Sequence, residues 1–136
     1  MNMRNKEWDL LAEWCIIRLE LGRTPQFPNG SPSRSFLLRL PLDSGGRIDA
    51  SVRAADPRGA TVRRYWPQQP DRSGWVVPLD GGWAFSQALS DWCECFSRLP
   101  DQSFCLGESV TVAEEEILPF TVVHLKRVEP AAASRA

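Results

Sequence analysis

The segment from Trp66 to Phe85 carries three of the six tryptophans of the chain on either side of Asp80-Gly81-Gly82. No other stretch limits the fold as much. Asp and Gly tolerate the positive φ that a tight hairpin turn requires, so the flanking apolar runs read as two antiparallel strands. On a three-residue loop Leu79 faces Trp83, Val77 faces Phe85 and Trp75 faces Gln87. That register gathers Trp75, Val77, Leu79, Trp83 and Phe85 on one face and leaves Val76, Pro78, Ala84 and Ser86 on the other. A two-residue Asp80-Gly81 loop pairs Pro78 with Trp83 and Val76 with Phe85, which mixes the faces. The pattern therefore favours the three-residue loop. Large aromatic side chains on one sheet face are core material before they are a binding platform.

Alternation continues through the rest of the chain. Cys15, Ile17, Leu19 and Leu21 share one face of an expected strand at 15–21, while Arg18 and Glu20 share the other. Residues 5–13 read as a short helix, and a single helix over 6–21 is the competing assignment. Residues 24–33, with three prolines and Asn29-Gly30, form a loop. Phe36, Leu38, Leu40 and Leu42 then alternate in a second strand. Asp43-Ser44-Gly45-Gly46 is a turn, and Asp49 caps one helical turn that stops at Ala55 before Pro57. Thr61 to Trp66 is a short strand. Leu89, Trp92, Cys93 and Phe96 recur at helical spacing, which predicts an amphipathic helix over 87–98. Strands are expected at 102–106, 109–113 and 117–128, with Glu114-Glu115-Glu116 as a turn. The last strand is apolar on both faces and belongs inside the sheet or barrel.

Strands linked by short connections, without a βαβ rhythm, predict antiparallel pairing. The expected fold is mainly β, bordering on α+β: a bent antiparallel sheet or small barrel with one or two short helices. At 136 residues the chain is expected to form one domain over 1–130 with a disordered tail at 131–136. No apolar run approaches the roughly 20 residues needed to span a bilayer, so no membrane partner is expected. Charged residues from Arg4 to Asp9 break any signal-like apolar region, so the cytoplasm is the expected compartment. Fourteen Arg against two Lys is a compositional pointer to a GC-rich bacterial genome.

The motifs of common chemistries are missing. Cys93, Cys95, Cys105 and His124 include metal-ligating types, but Cys-x-Cys is not the usual zinc spacing, and on a helix its two thiols diverge. No metal and no cofactor are therefore expected, and with no export signal the thiols should be reduced. His124 shares a strand face with Phe120 and Val122, with no nucleophile or acid placed by spacing to make it a base. The three glutamates read as a solvated turn, and the Gly-Gly pairs lack a phosphate-loop context.

One cluster suggests recognition. Arg58, Arg63, Arg64, Tyr65 and Trp66, with Arg72 close behind, interleave guanidinium groups with aromatic rings. Residues 47–72 hold six Arg and three Asp, a balance of +3, whereas residues 89–130 hold eight acids and three bases, a balance of −5. Exposed Arg and Trp are favoured at the centres of protein interfaces. The leading expectation is a small non-catalytic cytoplasmic module that binds a protein, in a regulatory, immunity-type or assembly role, with the 67–74 loop in its contact surface. The first alternative is a small barrel that binds single-stranded nucleic acid through the same arginines and rings. The second is an enzyme whose site assembles from distant residues. The oligomeric state is not specified by the sequence.

Overall fold

The computed structural model describes residues 12–89 and 94–128. Eight strands follow one another around a closed antiparallel barrel: β1 (Glu13–Leu21), β2 (Ser31–Leu42), β3 (Thr61–Tyr65), β4 (Arg72–Leu79), β5 (Gly82–Ser86), β6 (Cys95–Pro100), β7 (Ser109–Ala113) and β8 (Ile117–Arg127). Each strand pairs with its neighbour in sequence, and β8 returns to β1 to close the wall. Closure removes the open edges of the sheet except along the β6–β7 seam, where one pair joins the two strands. The expected mainly-β small barrel is the observed fold.

The alternation of apolar residues explains which face turns inward. Ile17, Leu19, Phe36, Leu38, Leu40, Val62, Val76, Phe85, Val110, Val112, Phe120 and Val122 are all buried in one core. Phe36 is central to it, with ring centroids 5.1 Å from both Phe85 and Phe120. An eight-stranded barrel has an interior about wide enough for side chains to fill, and here these rings fill it.

Up-and-down connectivity sorts the connections between two ends. One end carries the β1–β2, β3–β4, β5–β6 and β7–β8 connections. The other carries the β2–β3 and β6–β7 connections and the β4–β5 turn. At that second end a helix, α1 (Ala50–Ala55), and a 3₁₀ turn (Pro57–Gly59) follow Asp49, whose side chain accepts a hydrogen bond from the Val52 amide as an N-cap. Ile48, Ala60 and Phe104 bury themselves in the core there, and Arg53 Nε donates to the Val76 carbonyl at 3.0 Å. The expected single turn of helix behind Asp49 is present.

Four expectations need correction. The hairpin turn has two residues, not three: Leu79 pairs with Gly82, Pro78 with Trp83 and Val76 with Phe85. Asp80 (φ 45°) and Gly81 (φ 79°) both take left-handed backbone, as a type I′ turn requires. The inward face is thus Val76, Trp83 and Phe85, while Val77 and Ala84 are buried on the opposite face and Trp75 is half-buried there. With apolar side chains covered on both faces, clean segregation was the wrong criterion for register.

Residues 95–98, expected in a helix, lie in β6. Residues 90–93 of that expected helix fall outside the described residues, as do the expected helix up to Leu11 and the expected tail. Residues 102–106 form no strand. Instead the Gln102 side chain does the pairing: its amide donates to the Thr111 carbonyl at 2.9 Å and accepts from the Thr111 amide at 3.0 Å. His124 does not share the face of Phe120 and Val122, because a bulge shifts β8 against β1 there. It turns the ring out, and His124 is exposed.

Candidate functional site

β3 delivers Arg64 to the barrel interior because its alternation continues inward from Val62. A guanidinium that is 5% exposed needs a counter-charge. Glu114, from the turn after β7, supplies it: Arg64 Nε donates to Oε2 at 2.8 Å and Nη2 donates to Oε1 at 3.0 Å. Ser97 of β6 donates to the same Oε2 at 2.7 Å, and Arg64 Nη1 donates to Gln69 Oε1 at 3.1 Å. One carboxylate therefore ties β3, β6 and the β7–β8 turn together across the first end of the barrel. The Arg64 guanidinium lies 4.2 Å from the centre of the Trp66 ring. Trp66 in turn packs on Phe36 and Phe120, at 6.1 and 6.3 Å between centroids. Beneath Trp66 the rings of Phe36, Phe85 and Phe120 occupy the interior.

Above that floor the end stands open as a cavity of about 990 Å³. Leu21 and Phe27 come to its wall from the β1–β2 side, Trp66 and Gln69 from the β3–β4 side, and Glu114 to Glu116 from the β7–β8 turn. The cavity runs on past Arg98, where β6 and β7 are joined by the single pair Arg98–Ala113, as far as Leu79 and Asp80 of the β4–β5 turn.

Two more arginines enter the same cavity from the strands beside β3. Arg34 is on the Phe36 face of β2, 4.2 Å above the Phe27 ring, with Nη1 donating to Ser31 Oγ at 3.1 Å. Arg72 opens β4 directly opposite Arg64 in the strand register. It lies 5.4 Å from the Phe96 ring. Among the described residues neither Arg34 nor Arg72 has a carboxylate partner. Three adjacent strands thus carry one guanidinium each to the mouth, each against an aromatic ring.

The structure divides the six residues singled out in the sequence. Arg64, Trp66 and Arg72 meet in the mouth. Arg63 points out from β3, 3.7 Å from Asp71 and 5.8 Å from the Tyr65 ring, and Tyr65 shares that outer face. Arg58 is in the 3₁₀ turn at the opposite end. Arg34, Phe27, Phe96 and Glu114 were missed as site residues. Arg34 carried a legible signal, since alternation from Phe36 puts it on the inward face. The Glu114 role carried none, because it depends on a contact across 50 residues.

Among the described residues the cavity lining holds no imidazole. Cys95 lines the cavity, but the single imidazole, His124, is on the outer wall opposite Arg18. No group of three or more His, Cys, Asp or Glu side chains suited to a metal occurs among the described residues, and no helix among them is long and apolar enough to cross a membrane.

A second recess, about 430 Å³, is on the outer wall of β1 to β4, where Ile16, Leu37, Thr61 and Trp75 meet between Arg39 and Arg63. No protein-family model, curated protein or solved structure matches this chain, so its function is argued from this geometry.

Proposed function

We propose that this protein is a non-catalytic binding barrel that takes a small polar ligand in its arginine-lined mouth. The observation that carries this reading is the contrast between the two ends and the core. The interior is packed by aromatic rings, the second end is occupied by Ile48, Ala60 and Phe104, and the first end opens into a cavity of about 990 Å³ that continues along β6. Small-molecule sites have volumes of about 300–1,000 Å³ and favour the mouths of β-barrels. Charged side chains that project inward at such a mouth give a ligand orientation, while the rings behind them hold them in place.

The cavity supports a compact ligand over a nucleic-acid strand. A single strand needs a continuous basic track, and here Glu114, Glu115 and Glu116 face the same space as the arginines. Binding of a protein, the expectation from the sequence, remains as a second reading on a different surface. It is favoured by the outer recess, whose apolar Ile16, Leu37 and Trp75 floor is flanked by arginines and would accept one anchoring side chain.

Nuclear magnetic resonance titration of the full chain with a panel of small polar compounds tests the first reading. Binding should move the amides of Arg64, Gln69 and Arg72 and the Trp66 indole together. Shifts confined to Ile16, Leu37 and Trp75 would move the binding function to the outer wall.

A further inference from the structure

We infer that the mouth is built for the head group of a phosphate monoester. This rests on the reading of the mouth as a small-ligand site, and it names the ligand's chemistry.

The first step is charge. Arg64 and Arg72 are direct cross-strand partners, and like charges in that position repel. Glu114 neutralises Arg64 only. Within the mouth, Arg72 and Arg34 remain as two cations with no carboxylate partner among the described residues; Arg98 and Asp80 border the same cavity where it runs out beyond the mouth, Arg98 being paired with Ala84 of the outer face. A ligand of charge near −2 matches Arg34 and Arg72. A phosphate monoester carries about −1.5 to −2 at neutral pH, and a carboxylate carries one charge.

The second step is donors. A guanidinium has five N–H donors and no acceptor. Arg64 spends three, two on Glu114 and one on Gln69. Arg34 spends one on Ser31. No hydrogen bond from the Arg72 side chain to a described residue is seen. All three side chains line one cavity and keep donors to spare, and a partner that uses those donors is rich in acceptors. The three terminal oxygens of a phosphate supply this.

The third step is limitation. Glu115 and Glu116 border the same cavity, exposed and without an ion pair among the described residues. They disfavour a second phosphate, so the site selects one compact dianion over a polyphosphate or a nucleic-acid backbone. The aromatic rings keep the guanidinium planes in place before the ligand arrives, which lowers the ordering cost of binding.

Inorganic phosphate and phenyl phosphate are the probes, titrated into the full chain at constant ionic strength, with chloride, benzoate and a ten-residue oligothymidylate as comparisons. Both phosphates should bind, phenyl phosphate at least about tenfold more tightly than benzoate. Arg72→Gln and Arg34→Gln should each weaken phenyl phosphate about tenfold or more, while Arg63→Gln on the outer wall changes affinity less than twofold. Without ligand, Arg72→Gln should melt at or above the temperature of the parent, because it removes a like-charge pair; with saturating phenyl phosphate the order should reverse. That reversal separates loss of ligand contact from loss of folding. Equal binding of benzoate and phenyl phosphate, or binding that survives both substitutions, would overturn the phosphate assignment. If neutral compounds still move the Trp66 indole in that case, the small-ligand mouth stands without it. Tighter binding of the oligothymidylate than of phenyl phosphate would overturn both.

Discussion

Glu114 accepts three hydrogen bonds, two from Arg64 and one from Ser97, and its partner arginine is almost wholly enclosed. Removing its charge strands a buried cation. Glu114→Gln should therefore cost about 3 kcal/mol in urea unfolding, and replacing both partners, Arg64→Met with Glu114→Leu, should recover most of that loss, because an apolar pair carries no desolvation penalty. A second contrast at this scale concerns the thiols. Burial, reinforced by the Glu13 charge and opposed by Arg127, raises the Cys15 pKa above that of an ordinary thiol, so less reactive thiolate is present at any given pH. Cys15 is 5% exposed, whereas Cys105 is exposed beside Ser103. Alkylation at pH 8, mapped by peptide mass, should label Cys105 well before Cys15. Equal rates would show that the Cys15 wall of the barrel opens readily.

The β4–β5 hairpin departs from the register that its apolar pattern predicts. Its turn residues are legible in the sequence, but alternation favours a loop one residue too long because apolar side chains occupy both faces of the pair. Val77 and Ala84 are as covered as Val76 and Phe85, so periodicity cannot choose between registers. The backbone does choose: Asp80 and Gly81 are both left-handed. Gly81→Ala should destabilise by about 1–2 kcal/mol through that conformation, since no atom lies within 4 Å of the added methyl. Asp80→Asn should be neutral or stabilising, as Asn-Gly suits this turn. A stable Gly81→Ala variant would mean that the turn relaxes to another type. Elsewhere, Phe96 belonged to an apparent helical stripe but packs from β6, 6.2 Å from Phe85. His124 was assigned by alternation, which a bulge resets. Gln102 could not be identified from sequence at all, because a side-chain amide stands in for backbone pairing.

At the scale of the molecule, the barrel was legible because its inward residues alternate cleanly in β1 and β2 and because no crossover helix separates the strands. The mouth was half legible. Arg64, Trp66 and Arg72 are close in sequence, but their role depends on Glu114 and Phe96 arriving from the far side of the barrel, and local pattern holds no record of that approach. Closure also distributes stability unevenly around the wall. β1 is paired along its length with β2 and from Cys15 to Leu21 with β8, whereas β6 meets β7 only at Arg98 and Ala113. The Gln102 amide, holding Thr111 by two hydrogen bonds, extends that seam. Local opening follows the least-bonded part of a structure, so amide hydrogen exchange should be faster in β6 and β7 than in β1 and β2. Gln102→Ala removes both bonds and leaves the Thr111 amide and carbonyl without them. It should cost about 1–3 kcal/mol and accelerate exchange most at Thr111, with little change at Ile17 or Leu38. Uniform acceleration around the barrel would instead show that the wall opens only as a whole, making the single-pair seam as strong as the rest.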